Sequence, residues 1–252
     1  MRRSLKTLIS VFVGAFLVVP VSLWILGVHR NPSQRLLDRI AQASPISLSF
    51  AAESESASTV LEGNWPPRLN ERFPDLLLHD QHGHPTRLSE FSGKIILVEY
   101  AAIPCAGCQA FAGGKTLGSF EGFPVQNLES IDEYARRFAG TELGTDDVVF
   151  VQLLLYGRSM SAPSADEVAG WAEHFRMDRA ENRIVLRGDV SLLSQATYDL
   201  IPGFHLIDRD FTLRSDSCGH QPRENLYREL LPKLGKLQRQ SRVPSGPSIP
   251  ER

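Results

Sequence analysis

The chain has 252 residues, which is enough for one sizeable hydrophobic core with extensions at either end. Its formal net charge is −2, from 27 Lys and Arg against 29 Asp and Glu. The basic residues form no stripe interleaved with aromatic residues, so neither composition nor patterning indicates a nucleic-acid partner.

An uncharged apolar segment, Thr7–Val28, lies close to the N-terminus and is long enough to cross the ~30 Å hydrocarbon core of a bilayer as a helix. Arg2, Arg3 and Lys6 precede it, which favours a cytoplasmic N-terminus and export of the C-terminal part of the chain. A cleaved signal peptide is the alternative, but the segment is not directly succeeded by a small-residue cleavage site. We therefore predict an uncleaved single-pass anchor within residues 1–30 of a cell-membrane protein whose remainder faces the periplasm or another extracytoplasmic space.

Composition divides the rest of the chain into three parts. Residues 31–65 contain a short helix signal and then the Ser-, Ala- and Glu-rich stretch Ser44–Gly63, which is typical of a flexible linker. Residues 238–252 are rich in Ser, Pro and Arg, which is typical of a disordered tail. Residues 66–237 remain as the folded domain.

Strand-like and helix-like patterns alternate through this domain, which predicts an α/β fold of three layers around a mixed central sheet. In chain order, the predicted elements are a strand and turn within Phe73–Pro85, a buried strand over Lys94–Tyr100, a helix over Leu128–Phe138, a buried strand over Val148–Tyr156, a helix with a capping box at Ser164–Glu167, a hairpin over Phe204–Arg214, and a helix over Leu226–Leu237 interrupted at Pro232.

The sequence Cys105-Ala-Gly-Cys108 comes directly after the buried strand over Lys94–Tyr100 and precedes a helix-like segment. This spacing places both sulfurs on the first helical turn, where backbone N–H groups and the helix dipole favour a thiolate. Half of a zinc site is the alternative, but Cys218 is the one further cysteine and has no cysteine partner nearby. A disulfide closing so small a loop stabilises little, so a redox-active pair is favoured over a structural one.

Glu99 lies in the middle of the same apolar strand, six positions before Cys105. One interpretation is simple alternation, with Glu99 facing solvent. The other is a buried carboxyl with a raised pKa that accepts the proton of Cys108. The spacing favours the second interpretation.

The stretch Ile96–Cys108 resembles the active-site strand and helix start of the thioredoxin superfamily, in many members of which an acid stands six residues before the first cysteine. Phe73–Leu76 and Leu88–Lys94 resemble the lead-in hairpin of the TlpA-like and redoxin branch, related to the AhpC/TSA proteins, whose members are mostly membrane-tethered or exported. Ile201–Arg209 resembles the stretch that carries the cis-proline of the family.

The resemblance implies that Pro202 is cis and lies beside the dithiol, and that the backbone of Ile201 pairs with an extended substrate. It further implies a membrane-tethered protein disulfide oxidoreductase in which Cys105 attacks, Cys108 resolves and Glu99 accepts a proton. No metal or organic cofactor is expected. The expected partners are a disulfide-containing protein substrate and a membrane electron donor. The Ala-Gly spacer lacks the histidine typical of strong oxidants, so reduction is the expected direction.

Several features depart from the family or leave alternatives open. Ile103-Pro104 stands where the branch usually has Trp before the first cysteine, and Pro104 removes a backbone donor. A peroxidase would need a hydroxyl where Ala102 stands. A Sco-type copper chaperone remains the main alternative, with His205 as a possible ligand, although its two cysteines would be separated by three residues. Cys218 is expected after the last hairpin, as a free thiol, an intermolecular partner or a third redox site.

Overall fold

The computed structural model describes residues 61, 62 and 64–240. The predicted membrane anchor, nearly all of the predicted linker and residues 241–252 lie outside them. Among the residues described, none of the helices combines the length and the apolar character needed to span a bilayer.

Eight strands in the described residues form one mixed sheet, as predicted, in the order β1-β2-β6-β5-β4-β7-β8, with β3 paired to β2. The pairs β4·β5 and β5·β6 are parallel, whereas β2·β6, β4·β7 and β7·β8 are antiparallel. The strands are β1 Leu61–Glu62, β2 Asp75–Asp80, β3 Pro85–Arg87, β4 Ile95–Ala102, β5 Val148–Tyr156, β6 Arg183–Arg187, β7 Gly203–Ile207 and β8 Leu213–Cys218.

The helices connect these strands or follow the last of them. They are α1 Ala106–Phe111, α2 Gly114–Leu117, α3 Ile131–Tyr134, α4 Ala165–His174, α5 Gln195–Tyr198 and α6 Leu231–Gln240. Turns of wider π-type spacing continue α3 over Ala135–Ala139 and lead into α6 over Leu226–Leu230. Four-residue α2 and α5 are single turns.

The two central strands, β4 and β5, are buried along their whole length. Continuous apolar sequence produces this, because a strand covered on both faces needs no polar alternation. The capping box predicted for α4 is confirmed: Ser164 Oγ accepts the N–H of Glu167, and the Glu167 carboxylate accepts the N–H of Ser164.

Residues paired directly across two strands share a sheet face, so the register divides the sheet into two named surfaces. We call the side of Glu99 and Phe204, which are paired in β4 and β7, the helix face. Phe111 of α1 packs edge-on against Phe204, with ring centroids 5.1 Å apart. The other side, the opposite face, carries Tyr100 and is covered by Trp65, whose ring centroid lies 6.0 Å from that of Tyr100.

Several predicted boundaries differ from the structure, and one strand was not predicted. The domain begins before residue 66, because β1 pairs with β2 and Trp65 packs on the sheet. The last helix continues through Gln240, past the predicted start of the tail, and its spacing changes from π-type to α-helical next to Pro232, where an interruption was predicted. Strand β6 was not predicted. Strand β8 extends to Cys218, which therefore lies within the hairpin rather than after it.

Candidate active site

Cys105 and Cys108 stand where the buried strand β4 gives way to α1, and they form a disulfide with Cα atoms 5.2 Å apart. Cys105 is the N-cap residue, and its Sγ accepts the backbone N–H of Cys108 at 3.1 Å. Cys105 is half-buried, whereas Cys108 is fully buried. Because an N–H group at the helix start can stabilise negative charge on sulfur, Cys105 is the cysteine suited to react as a thiolate.

A buried glutamine side chain fixes the start of α1 to its surroundings. Gln109 Nε2 donates to the carbonyl oxygen of Ile103 at 2.8 Å, and Gln109 Oε1 accepts the N–H of Phe120 at 2.8 Å. The N–H of Ile103 donates in turn to the carbonyl oxygen of Tyr156 in β5. Hydrogen bonds to Gln109 and to Tyr156 therefore hold both backbone groups of Ile103, the residue before Pro104, where the sequence departs from the family pattern.

Pro202 lies against the first turn of α1, as expected. The Ile201–Pro202 peptide bond is cis. A Cβ atom added at Gly107 would lie 3.2 Å from Cγ of Pro202, so the proline ring packs against Gly107, the second of the two residues between the cysteines. The structure thus brings together two regions far apart in sequence: the junction of β4 with α1, and the entry to β7.

The backbone of Ile201 is only partly available to a substrate. Its N–H donates to the carbonyl oxygen of Tyr198 at 3.0 Å, which was not anticipated from the sequence. Among the described residues, no backbone donor reaches the Ile201 carbonyl oxygen. If a substrate pairs with Ile201, it pairs with that carbonyl.

Glu99 is fully buried, so the interpretation that it faces solvent was wrong. Its Oε2 accepts a hydrogen bond from Gln152 Nε2 at 2.8 Å, and its Oε1 has no hydrogen-bond partner among the described residues. Burial raises the pKa of Glu99 to about 8, the hydrogen bond from Gln152 opposes this rise, and the negative charge of Asp132 adds to it. A carboxyl with such a pKa exchanges its proton near neutral pH.

The side chain of Trp171 in α4 fixes the orientation of the Gln152 amide. Its Nε1–H donates to Gln152 Oε1 at 3.0 Å. An indole N–H can only donate, so the amide oxygen faces Trp171 and the amide NH₂ faces Glu99. Gln152 was missed from the sequence, although it interrupts its apolar strand just as Glu99 does, and the two are paired in register.

Glu99 and Cys108 lie on the same side of the sheet. Glu99 is directly opposite Phe204, and Phe111 packs on Phe204 from α1. Cys108 precedes Phe111 by three residues, so both project from one side of α1. The carboxyl and the buried sulfur therefore share the layer between α1 and the sheet.

His205 lies on the opposite face, away from this layer. Its ring is 5.0 Å from that of Tyr100 and 6.0 Å from that of Phe73, both centroid to centroid. Cys218 is directly opposite Gly203, two positions from His205, and so shares that face. The structure thus does not place His205 with Cys105 and Cys108, as a copper site built from these three residues would require.

A cavity of about 800 Å³ opens elsewhere, between the loops after α1 and the start of β6. Its lining is mostly polar and includes the Asp132–Arg183 ion pair, whose closest contact is 2.8 Å. None of the five predicted site residues lines it. The candidate chemistry therefore belongs to the Cys105–Cys108 pair, of which Cys105 is partly exposed, rather than to this cavity.

No protein-family model matches the chain, and no curated protein matches it. Solved structures do resemble it. The thioredoxin domain of a thiol-disulfide oxidoreductase from Bacteroides vulgatus has 12% identity and a TM-score of 0.39, over 64% of this chain and 93% of that one. A SCO1/SenC family lipoprotein from Bacillus anthracis has 14% identity and a TM-score of 0.45, over 70% of this chain and 99% of that lipoprotein. DsbF from MTB has 13% identity and a TM-score of 0.38, over 64% and 92%.

Proposed function

We propose that this chain is a thiol–disulfide oxidoreductase of the thioredoxin superfamily, tethered to the membrane, that reduces disulfide bonds of other proteins outside the cytoplasm. The observation that carries the proposal is that the Cys105–Cys108 pair and cis-Pro202 meet at the start of α1, with the buried carboxyl of Glu99 on the face of the sheet against which α1 packs. The strand order and the position of the pair at the end of a central parallel strand support a thioredoxin-like fold.

The reaction begins with the reduced pair. The Cys105 thiolate attacks one sulfur of the substrate disulfide, a mixed disulfide forms, and the other substrate sulfur leaves as a thiolate. Cys108 then attacks Cys105 Sγ. Glu99 accepts the proton of Cys108, the second substrate sulfur leaves, and the Cys105–Cys108 disulfide remains.

Substrate would lie along the segment between α5 and β7 that contains cis-Pro202, which we call the cis-proline loop. Pro202 covers the first turn of α1, and the Ile201 carbonyl offers an acceptor to an extended peptide. The Ile201 N–H is not offered, because it is bonded to Tyr198. One backbone acceptor makes few demands on sequence, so the proposed substrates are proteins with accessible disulfides rather than one peptide motif.

The tether and the location rest on the sequence of residues 1–30, and a membrane electron donor is proposed to return the pair to its dithiol form. A trapping experiment tests the oxidoreductase assignment. Cys108→Ser should accumulate a mixed disulfide with a disulfide-containing protein such as insulin, and Cys105→Ser should accumulate none. Turnover by the Cys105→Ser variant at the wild-type rate would refute the assignment.

A further inference from the structure

Three metal-ligating side chains converge on the opposite face of the sheet, away from the dithiol. They are the imidazole of His205, the carboxylate of Asp216 and the thiol of Cys218, and one ligand atom from each lies within 4.8 Å of the others. The register of the β7–β8 hairpin explains the cluster, because Asp216 is directly opposite His205 and Cys218 is directly opposite Gly203. The proposed oxidoreductase chemistry uses none of these side chains.

The Tyr100 hydroxyl holds the His205 ring through one nitrogen and leaves the other nitrogen facing Asp216. Its Nδ1 is 2.7 Å from the Tyr100 hydroxyl, and its Nε2 is 3.2 Å from Asp216 Oδ1. When Nδ1 carries the proton and donates to Tyr100, the lone pair of Nε2 faces the Asp216 carboxylate, and a cation between them satisfies both.

The cluster is open to solvent along the outer strand of the sheet. Cys218 is half-buried, and the Asp216 side chain is 19% exposed. The exposed Arg223 approaches Asp216 Oδ2 from the solvent side, with its Nε at 3.9 Å. An ion can therefore approach Asp216 and Cys218 from the β8 edge, where it would displace Arg223.

We propose that His205, Asp216 and Cys218 bind one Zn²⁺ ion, with water as the fourth ligand. A thiolate, a carboxylate and a neutral imidazole together balance the two positive charges, and this mixed donor set suits Zn²⁺. Zinc–ligand bonds of about 2.0–2.3 Å are compatible with the 3.2 Å between His205 Nε2 and Asp216 Oδ1, whereas any pair of ligand atoms as far apart as 4.8 Å must draw closer when the ion binds. The Cys218 thiol releases its proton to solvent when the ion binds.

Zinc in this site would stabilise the cis-proline loop through its contacts with the end of β8. Cys218 is paired with Gly203, the residue after Pro202, and the N–H of Gly219 donates to the Pro202 carbonyl oxygen at 3.1 Å. Zinc binding at the β7–β8 hairpin is therefore expected to stabilise the loop over which substrate is proposed to lie. The site itself does not depend on that function.

The test uses the full chain in its oxidised form, so that the Cys105–Cys108 disulfide cannot bind metal and Cys218 is the only free thiol of the three cysteines. Co²⁺ is titrated as a spectroscopic probe, and Zn²⁺ stoichiometry is measured directly. We expect one ion per chain, with a thiolate-to-cobalt charge-transfer band and the intense visible bands of a tetrahedral site. Zn²⁺ should also slow alkylation of Cys218.

Cys218→Ser should abolish the charge-transfer band and weaken Zn²⁺ binding at least about 10-fold, and His205→Gln should weaken it comparably. Tyr100→Phe should weaken it less. The matched control replaces His82 and His84, two exposed histidines in the turn between β2 and β3, with Gln and should bind like wild type. The thermal melt without metal identifies any variant that has simply unfolded. Absence of stoichiometric binding, or binding unchanged in a folded Cys218→Ser variant, would overturn the proposal, whether or not the chain reduces disulfides.

Discussion

Gln152 donates a hydrogen bond to the buried carboxyl of Glu99 across two neighbouring parallel strands, with 2.8 Å between Nε2 and Oε2. The amide can only act as a donor here, because Trp171 occupies its oxygen. Gln152 therefore stabilises the ionised form of Glu99 against the effect of burial. In the proposed mechanism, this contact helps to set the pH at which Cys108 loses its proton.

Replacing Glu99 with Gln tests the proton-accepting role. At pH 7, we expect release of substrate from the mixed disulfide on Cys105 to slow on the order of 100-fold, because Cys108 loses its base. The wild-type rate should rise as pH increases through about 8, where Glu99 ionises. The variant should lack this rise and recover only as the thiol itself ionises. Stopped-flow measurement of the two profiles checks this, and superimposable profiles would exclude the role.

Replacing Gln152 with Leu tests its positioning role. The pKa of Glu99 should rise further, since the hydrogen bond from Gln152 opposes the effect of burial. The pH profile of the resolving step should accordingly move to higher pH. The rate constant for attack on the substrate by fully ionised Cys105 should not change. Trp171→Phe is the matched variant. It removes the indole donor but leaves Gln152 in place, so a smaller shift in the same direction is expected. An unshifted profile in Gln152→Leu would show that Gln152 serves packing only.

Glu99 should also make stability depend on pH. Its pKa is near 4.5 when exposed in the unfolded chain and about 8 when folded, so the folded state holds a proton that the unfolded state releases between these values. This proton uptake stabilises the folded state: its contribution to the free energy of unfolding is fully present below pH 4.5 and is lost as pH rises through about 8. Relative to Glu99→Gln, the wild-type free energy of unfolding should fall by up to about 1.4 kcal/mol per pH unit in this window. Denaturant unfolding of both oxidised proteins at several pH values measures this difference, and parallel curves would contradict it.

The predicted anchor makes a separate claim about the full chain. We expect the protein to sediment with membranes, to resist extraction at high pH and to be digested by protease added from the extracytoplasmic side. Deletion of residues 1–30 should release it into the soluble fraction. Recovery of the full-length protein in the soluble fraction would exclude a membrane-tethered reductase.

The sequence was sufficient to predict the central features of the fold and the candidate site. Continuous apolar runs predicted β4 and β5, and β5 has the predicted bounds, Val148–Tyr156. The position of Glu99, six residues before Cys105 in an apolar strand, favoured a buried carboxyl, and the resemblance implied a cis-Pro202; both are observed. These features depend on local pattern or on a motif that covers adjacent residues.

Features that depend on distant pairing could not be predicted in the same way. The short strand β6 has the pattern Arg-Ile-Val-Leu-Arg, which is too short to separate a strand from a buried helical turn. The hydrogen bonds from Trp171 to Gln152 and from Gln152 to Glu99 depend on how α4 packs on the sheet. The grouping of His205 with Cys218 depends on the register of β7 and β8, which a one-residue slip would reverse.

The redox equilibrium of the Cys105–Cys108 pair tests the proposed function most directly. The pair is equilibrated in dithiothreitol and glutathione buffers, and the reduced fraction is counted by alkylation with a mass-tagged maleimide in a Cys218→Ser background. We predict one reversible two-electron transition, with a reduction potential of about −270 mV, which is typical of a reducing dithiol. A potential near about −120 mV would contradict the reductive direction, and a pair that stays oxidised below about −300 mV would contradict redox cycling altogether.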